Sequence, residues 1–386
     1  MRFVVLFIDS WFGGRWGSGV WKIICNFVEK IDDMIKKWIL LLVAGLLLAP
    51  ASYGESRDEI AAIGRNVGAE GKFSYWAEGS VPLAKLKAFV ERVTNPQSDG
   101  FVPQSDRVAV FDLDGTLVCE TAPSYFEWMM YLHRVYADST SHPTAEQLVT
   151  ADTIRKAVYA RSVPGGMMWT EAIAQNEVFA GMTVEQYRNY TLEFMKAPVE
   201  GMRNLQWGEA IYLPMAEVVG YLTANGFATY VVSGSERQVT RVYVDGALAM
   251  GRNHIIGSDA YTYATSQGGK EGWDYSFEPT DDVVRGAMYV KNLKMNKVSA
   301  IVREIGIKPI LAFGNSSGDF SMFEYAVTKN RYPSMAFCVL ADDVEREFGN
   351  PAKAAKMKAS CEAKHWTTIS MKDDFKTIYG YKVTKE

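Results

Sequence analysis

The sequence predicts an α/β protein, a three-layer sandwich on a mainly parallel sheet with a set of helices inserted after the first strand. Three observations carry this. Residues 108–111, 228–232 and 310–313 are short apolar runs, each followed at once by polar or glycine-containing residues, the pattern of buried parallel strands whose carboxyl ends face a site. Over a hundred residues separate Asp114 from Ser233, far more than one crossover helix needs. That interval reads as helices at 123–137, 144–160, 168–180 and 183–195. Pro143-Thr144 and Met182-Thr183 are start signals, and Pro164-Gly165-Gly166 and Ala197-Pro198 are breaks.

In chain order, Met34-Ile35-Lys36-Lys37 is a basic head before a continuous apolar stretch at 38–49. Small residues follow in Ala49-Pro50-Ala51 and Ser52-Tyr53-Gly54. This predicts a secretory signal peptide over 34–54, cleaved near 52–55, and a periplasmic or secreted protein that meets the membrane only during export. The apolar run is shorter than the ~20 residues a bilayer span needs, and no cysteine follows it to mark a lipoprotein. Residues 1–33 carry Asp9, Glu29, Asp32 and Asp33, which do not suit a signal head, so translation is expected to begin at Met34; the alternative is a long leader with its own apolar start at 3–8. Residues 56–71 read as a polar, helical approach. The core is expected to start at 72 and run to 118, the helical insertion to fill 119–211, and the core to resume over 212–386 at Tyr212-Leu213-Pro214. In the second part come a helix from Met215, the second strand, a further helix, a strand at 255–258 continued at 261–264 and a Gly-rich surface loop at 266–280. A helix opened by Asn296, the third strand and later strands at 335–340 and 367–370 complete it.

A hydrophobic content of 48% and a charged content of 22% describe an ordinary globular chain, and a net charge of −4 argues against a broad basic face for nucleic acid. His133, His142, His254 and His365 lack metal-ligand spacing, which argues against a zinc enzyme. Cys25 precedes the signal. Cys119 reads as a packing residue, and Cys338 and Cys361 read either as a disulfide pair outside the cytoplasm or as buried thiols.

Asp112 and Asp114 stand two positions apart at a strand end, where two carboxylates are costly unless they bind a cation or do chemistry. One can attack phosphorus while the other holds a proton or a metal. The stretch Phe111-Asp112-Leu113-Asp114-Gly115-Thr116 resembles the first motif of the haloacid dehalogenase (HAD) superfamily of phosphohydrolases. Val232-Ser233-Gly234-Ser235 resembles its second motif, Lys297 its lysine, and Gly314-Asn315-Ser316-Ser317-Gly318-Asp319 its fourth motif, usually Gly-Asp-x-x-x-Asp. Asn225-Gly226-Phe227, Met322-Phe323-Glu324 and residues 366–372 extend the likeness to a phosphoserine-phosphatase-like subgroup with a helical cap between motifs one and two.

The resemblance implies a HAD Rossmann-like core and Mg²⁺-dependent hydrolysis of a small phosphomonoester through an aspartyl-phosphate. Asp112 is then the nucleophile and Asp114 the general acid and base, while Ser233 and Lys297 hold phosphoryl oxygens. Gly115, Thr116, Gly234 and Glu120 would bind substrate, and Asp112, Asp114, Asn315 and Asp319 the metal. Asn315 departs from the family pattern by removing one negative charge. Lys291 and Lys294 compete for the lysine role; Lys297 is preferred because Val298, Ala300, Ile301 and Ile305 predict a helix packed on the sheet. Glu120 could equally be a hinge residue. Tyr125, Phe126, Trp128, Met129 and Met130 read as core or as an aromatic wall for a quaternary ammonium. Arg161 and Trp169 are candidates to face the cleft. Two other functions fit the same residues: a phosphotransferase or mutase of this fold, and a non-catalytic phospho-ligand binding protein.

Overall fold

Val108–Phe111 has four apolar residues in a row because both of its faces are covered; all four are buried. In the computed structural model, which describes residues 54–386, this strand (β1) lies at the centre of a seven-stranded sheet. Its neighbours are β3 (Ala228–Glu236) and β6 (Leu311–Gly314). Beyond β6 lie β7 (Met335–Leu340) and β8 (Thr367–Ser370), and beyond β3 lie β4 (Ile255–Ala264) and β5 (Val283–Val290). Every pairing is parallel except β4 with β5. The short β2 (Met202–Arg203) and β9 (Thr384–Lys385) pair apart from this sheet.

Alternate residues feed two cores, as a strand's period of two requires. Ala109, Phe111, Leu311, Phe313 and Phe337 join one, and Val108, Val110, Ala312, Ala336 and Cys338 the other. On the first face the in-register row Phe111, Phe313 and Phe337 stacks ring on ring, with centroids 4.5 and 5.0 Å apart. Phe111 is level with both Val231 and Phe313, so one further step brings the chain ends after β1, β3 and β6 to the same edge.

Two helices precede β1, α1 (Arg57–Asn66) and α2 (Val81–Thr94). Four follow it, α3 (Phe126–Tyr136), α4 (Ala145–Tyr159), α5 (Met167–Val178) and α6 (Val184–Phe194). Thr144 and Thr183 cap α4 and α6 through reciprocal bonds with Gln147 and Gln186, which is why those boundaries were readable. Helices α3 to α5 share a cluster of their own around Trp128, Tyr131, Ile154 and Val158. The chain enters and leaves this region through adjacent segments: the Cys119 amide donates to the Ala210 carbonyl, and the Tyr212 amide to that of Leu117. Helices α7 (Leu213–Ala224) and α8 (Arg237–Val244) flank β3, and α9 (Met295–Ala300) follows β5. After β6 come α10 (Phe320–Val327), α11 (Pro351–Glu362) and α12 (Met371–Asp374).

Two expectations need correction. The core does not begin at residue 72. Helix α1 is built into it: Ile60 is fully buried, and Gly64 lies so close to Gly220 of α7 that no side chain fits between them. The Arg57 guanidinium also donates to the carbonyls of Gly208, Tyr243 and Asp245, which draws α1 onto the end of α8. These contacts join residues about 150 or more apart, so no local polarity pattern shows them. Strand β5 was not expected at all, because its antiparallel pairing with β4 is made across the long loop at 266–280. The predicted signal peptide and the choice between Met1 and Met34 lie outside the described residues. Among the described residues no helix is long and apolar enough to cross a membrane. Cys119, Cys338 and Cys361 are buried and free.

Candidate active site

The edge where β1, β3 and β6 end gathers most of the residues singled out from the sequence. Asp112 leaves β1 with its amide bonded to the Phe313 carbonyl, so its side chain rises beside the end of β6. Lys297, in the first turns of α9, is 1% exposed, and its Nζ donates to Asp112 Oδ1 at 2.8 Å and to Asp319 Oδ1 at 2.6 Å. A buried ammonium is tolerated only with such partners, and the two carboxylates raise its affinity for the proton against the effect of burial. Lys291 and Lys294 do not take this place: Lys291 approaches Glu171 at 4.0 Å, and Lys294 precedes the helix.

The Asp319 carboxylate is shared between two tasks. Oδ1 takes Lys297, and Oδ2 accepts from the amides of Asn315 and Ser316, which curls the loop after β6. Asn315 then places its side chain against Gly115. Gly115 has φ +69°, and a Cβ there would collide with the Asn315 amide and the Glu120 carboxyl group. The Gly-Thr turn is thus a backbone requirement: the Gly115 amide bonds to the Val118 carbonyl, and the Leu117 amide to that of Leu113. Thr116 is fully buried, and its hydroxyl has no protein partner.

Asp114 sits on the other side. Its Oδ2 accepts a 2.6 Å bond from the Ser235 hydroxyl, a residue not anticipated. Ser233 Oγ accepts from the Ser235 amide at 2.9 Å, so Ser233 shapes the loop that presents Ser235. Gly234 lets Leu293 pack where a Cβ would stand, at 2.6 Å, and its carbonyl accepts from Ser258. Asn292 donates to the Ser233 carbonyl and locks the same turn. The spacing of Ser233-Gly234-Ser235 offered a signal for Ser235, because alternate strand residues share a face; Ser258 and Asn292 offered none.

Electrostatics separate the two aspartates. Burial, reinforced by Asp319 and opposed by Lys297, pushes the Asp112 carboxyl up to about 7. Asp114 is pushed up to about 8, chiefly by burial and against the Ser235 bond, which favours its protonated form. Such a pair, one carboxyl bonded to a cation and the other to a hydroxyl, can divide nucleophilic and acid roles. All the donors here are oxygens. Two buried carboxylates, Asp112 and Asp319, share a single lysine, which leaves room in the charge balance for a hard cation. Among the described residues no three His, Cys, Asp or Glu side chains stand together as a ready-made ligand cluster.

Glu120 is half-buried beside Gly115 and Asn315, with its proton affinity raised by burial and lowered by Lys353 and Asn315. In the helical region Phe126, Trp128 and Met130 are core, while Tyr125 is half-buried near the carboxylates. Trp169 points to solvent at 54% exposure. Glu127 accepts from the Glu236 amide, and Arg285 of β5 donates to Asn176 and lies over the Tyr187 ring at 3.6 Å, so the inserted helices are tied to the sheet by buried polar contacts that no motif signalled.

The haloacid dehalogenase-like hydrolase family model matches residues 109–324, more than half of the chain. The chain belongs to the haloacid dehalogenase-like hydrolases. Among solved structures it is similar to a conserved protein of unknown function from Anaerococcus prevotii DSM 20548, at 13% identity over 81% of this chain and 99% of that one with a TM-score of 0.49. It is also similar to a protein of unknown function from Bordetella pertussis Tohama I, at 14% identity over 68% and 97% with a TM-score of 0.43. A third is a phosphoserine phosphohydrolase-like protein from Francisella tularensis subsp. tularensis SCHU S4, at 15% identity over 61% and 88% with a TM-score of 0.35. No curated protein matches the chain. The match of this HAD hydrolase to its family runs from β1 through α10 and so includes Asp112, Asp114, Ser233, Lys297, Asn315 and Asp319.

Proposed function

We propose that this HAD hydrolase cleaves small phosphomonoesters through a phosphoenzyme at Asp112. The observation that carries the reading is the Lys297 ammonium held between Asp112 and Asp319, with Asp114 opposite and bonded by the Ser235 hydroxyl. An Asp112 oxygen attacks phosphorus as the ester oxygen leaves, and Asp114 gives that oxygen its proton. Asp114, now ionised, takes a proton from water, the water oxygen attacks the phosphoaspartate, and phosphate departs with the Asp112 carboxylate restored. Lys297 holds phosphoryl oxygens and screens the nucleophile, while the turn amides from Gly115 to Val118 are used within the turn and fix its shape. Ser235 orients Asp114, and Ser233 holds that loop in place.

Mg²⁺ suits the oxygen-only donors, with Asp112, the Asp114 backbone carbonyl, Asn315 and Asp319 as its holders. Bound there, it supplies positive charge that lets a phosphate dianion approach a carboxylate. The helices between Asp114 and Ser233 form the cap that selects the substrate. The basic head and apolar run at 34–49 support export to the periplasm or beyond. Turnover of p-nitrophenyl phosphate tests the reading: phosphate release that needs Mg²⁺ and is lost in chelator is expected. Transfer to an added alcohol in preference to water would make the protein a phosphotransferase, and binding without turnover would make it a phospho-ligand receptor.

A further inference from the structure

Beside the catalytic turn lies a cavity of about 410 Å³, roofed by the end of α4 and floored by the ends of β6 and β7 and by α11. Its catalytic end is marked by Glu120, Tyr125 and Asn315. Part of its lining is apolar, with Val158, Leu340 and Met357 among others. Arg161, Lys353 and Lys385 also border it, the first two exposed to solvent.

The cations are placed, not scattered. Arg161 follows α4 with φ +49°, a backbone conformation that favours glycine. There its guanidinium donates to the Thr121 carbonyl and lies 4.1 Å over the ring of Phe348. Lys385 donates to the Val344 carbonyl and stands 4.4 Å from the centroid of the same ring. Two like charges thus converge on one phenyl group, and among the described residues neither has a carboxylate within ion-pair reach. Lys353, on α11, lines the same cavity as Glu120. Cations held on a cavity wall by backbone carbonyls and an aromatic face favour an anion beside them.

We propose that the leaving group of the substrate is an apolar body with a second anionic group, a carboxylate or a phosphate, seated against Arg161, Lys353 and Lys385. This rests on the phosphomonoesterase reading and deepens it. The apolar part of the lining takes the body, and the cations take the charge. A quaternary ammonium in the same place would meet three positive side chains.

The test compares kcat/KM of the full chain with Mg²⁺ on phenyl phosphate and on its 4-carboxy, 4-phosphono and 4-trimethylammonio derivatives. Binding is measured in parallel with the inert benzylphosphonate and 4-carboxybenzylphosphonate. At least a tenfold preference for an anionic derivative is expected, with the trimethylammonio compound poorest, and the better of the two anions identifies the group. Lys353→Glu should cut the anionic-to-neutral ratio at least tenfold. Arg161→Gly, which suits the local backbone, should cut it as well and guards against misfolding of a harsher variant. Equal kcat/KM across the series, a preference for the cation, or an unchanged ratio in both variants overturns the proposal. No turnover of any ester, with 4-carboxybenzylphosphonate still bound at least tenfold more tightly than benzylphosphonate, overturns the phosphatase reading and keeps the anion site; equal binding overturns both.

Discussion

Asp112 and Asp114 are two positions apart in the chain, and their partners make them chemically different. Lys297 favours the ionised form of the first against burial, while the second has no cation beside it and is bonded by the Ser235 hydroxyl. Replacing Asp112 with Asn should abolish the phosphoenzyme. Replacing Asp114 with Asn should lower kcat by about 10²–10⁴-fold. With an activated aryl phosphate, where the first step needs little protonation, that variant should accumulate phosphate on the peptide containing Asp112, seen by acid-quench mass spectrometry. Near-normal turnover by the Asp112→Asn protein would place the nucleophile elsewhere. Lys297→Met leaves Asp112 and Asp319 facing each other without a cation, which should cost about 3–5 kcal/mol of stability. The penalty should be larger at pH 8 than at pH 5, because Asp112, pushed up to about 7 by burial and by Asp319 and then no longer opposed by the lysine, takes a proton at the lower pH. Denaturant melts in chelator at the two pH values check the sign; an equal loss at both would mean packing alone sets the cost.

Helices α1 and α7 meet where Gly64 faces Gly220, and a methyl group on Gly220 would run into the Gly64 carbonyl. Gly220→Ala should therefore cost about 1–3 kcal/mol, although alanine is the better helix former, because the overlap outweighs the propensity gain. A raised melting temperature would show that the helices can separate freely. On the same helix Glu217 is buried and accepts from the amides of Ser74 and Tyr75. Burial pushes its carboxyl up to about 7 from 4.5, against those two bonds. A raised folded-state value means the stabilisation is complete below the unfolded value and is lost as pH rises through about 7. This amounts to on the order of 3 kcal/mol between pH 4.5 and 7.5. Glu217→Gln should flatten that slope in melting temperature against pH; an unaltered slope would assign it to other groups.

On the scale of the whole molecule, one sheet edge gathers Asp112, Asp114, Lys297 and Asp319, and the inserted helices are tied to the sheet by Arg285 to Asn176 and by Glu127 to the Glu236 amide. Two buried carboxylates, Asp112 and Asp319, against one lysine leave the site short of positive charge. Mg²⁺ should therefore raise the melting temperature of the intact chain, and chelator should remove the gain. Asn315→Asp adds a charge at the loop after β6 and should tighten the Mg²⁺ midpoint about five- to tenfold. A midpoint that does not move would remove Asn315 from the metal site.

The sequence by itself determined the strands that end at the site and the residues they deliver. Short apolar runs with polar ends can be read locally, and Asp112, Asp114, Lys297 and Asp319 follow them at motif spacing. It also determined the helical insertion, because Thr144 and Thr183 cap their helices through residues three positions away. Only the tertiary structure decided that α1 belongs to the core, that β5 extends the sheet, that Ser235 is the partner of Asp114, and that Arg161, Lys353 and Lys385 share one cavity. Each of these joins residues distant in the chain through packing or charge; the alternate spacing of Ser233 and Ser235 marks a shared strand face but not the partner across from it, and the others leave no period to read.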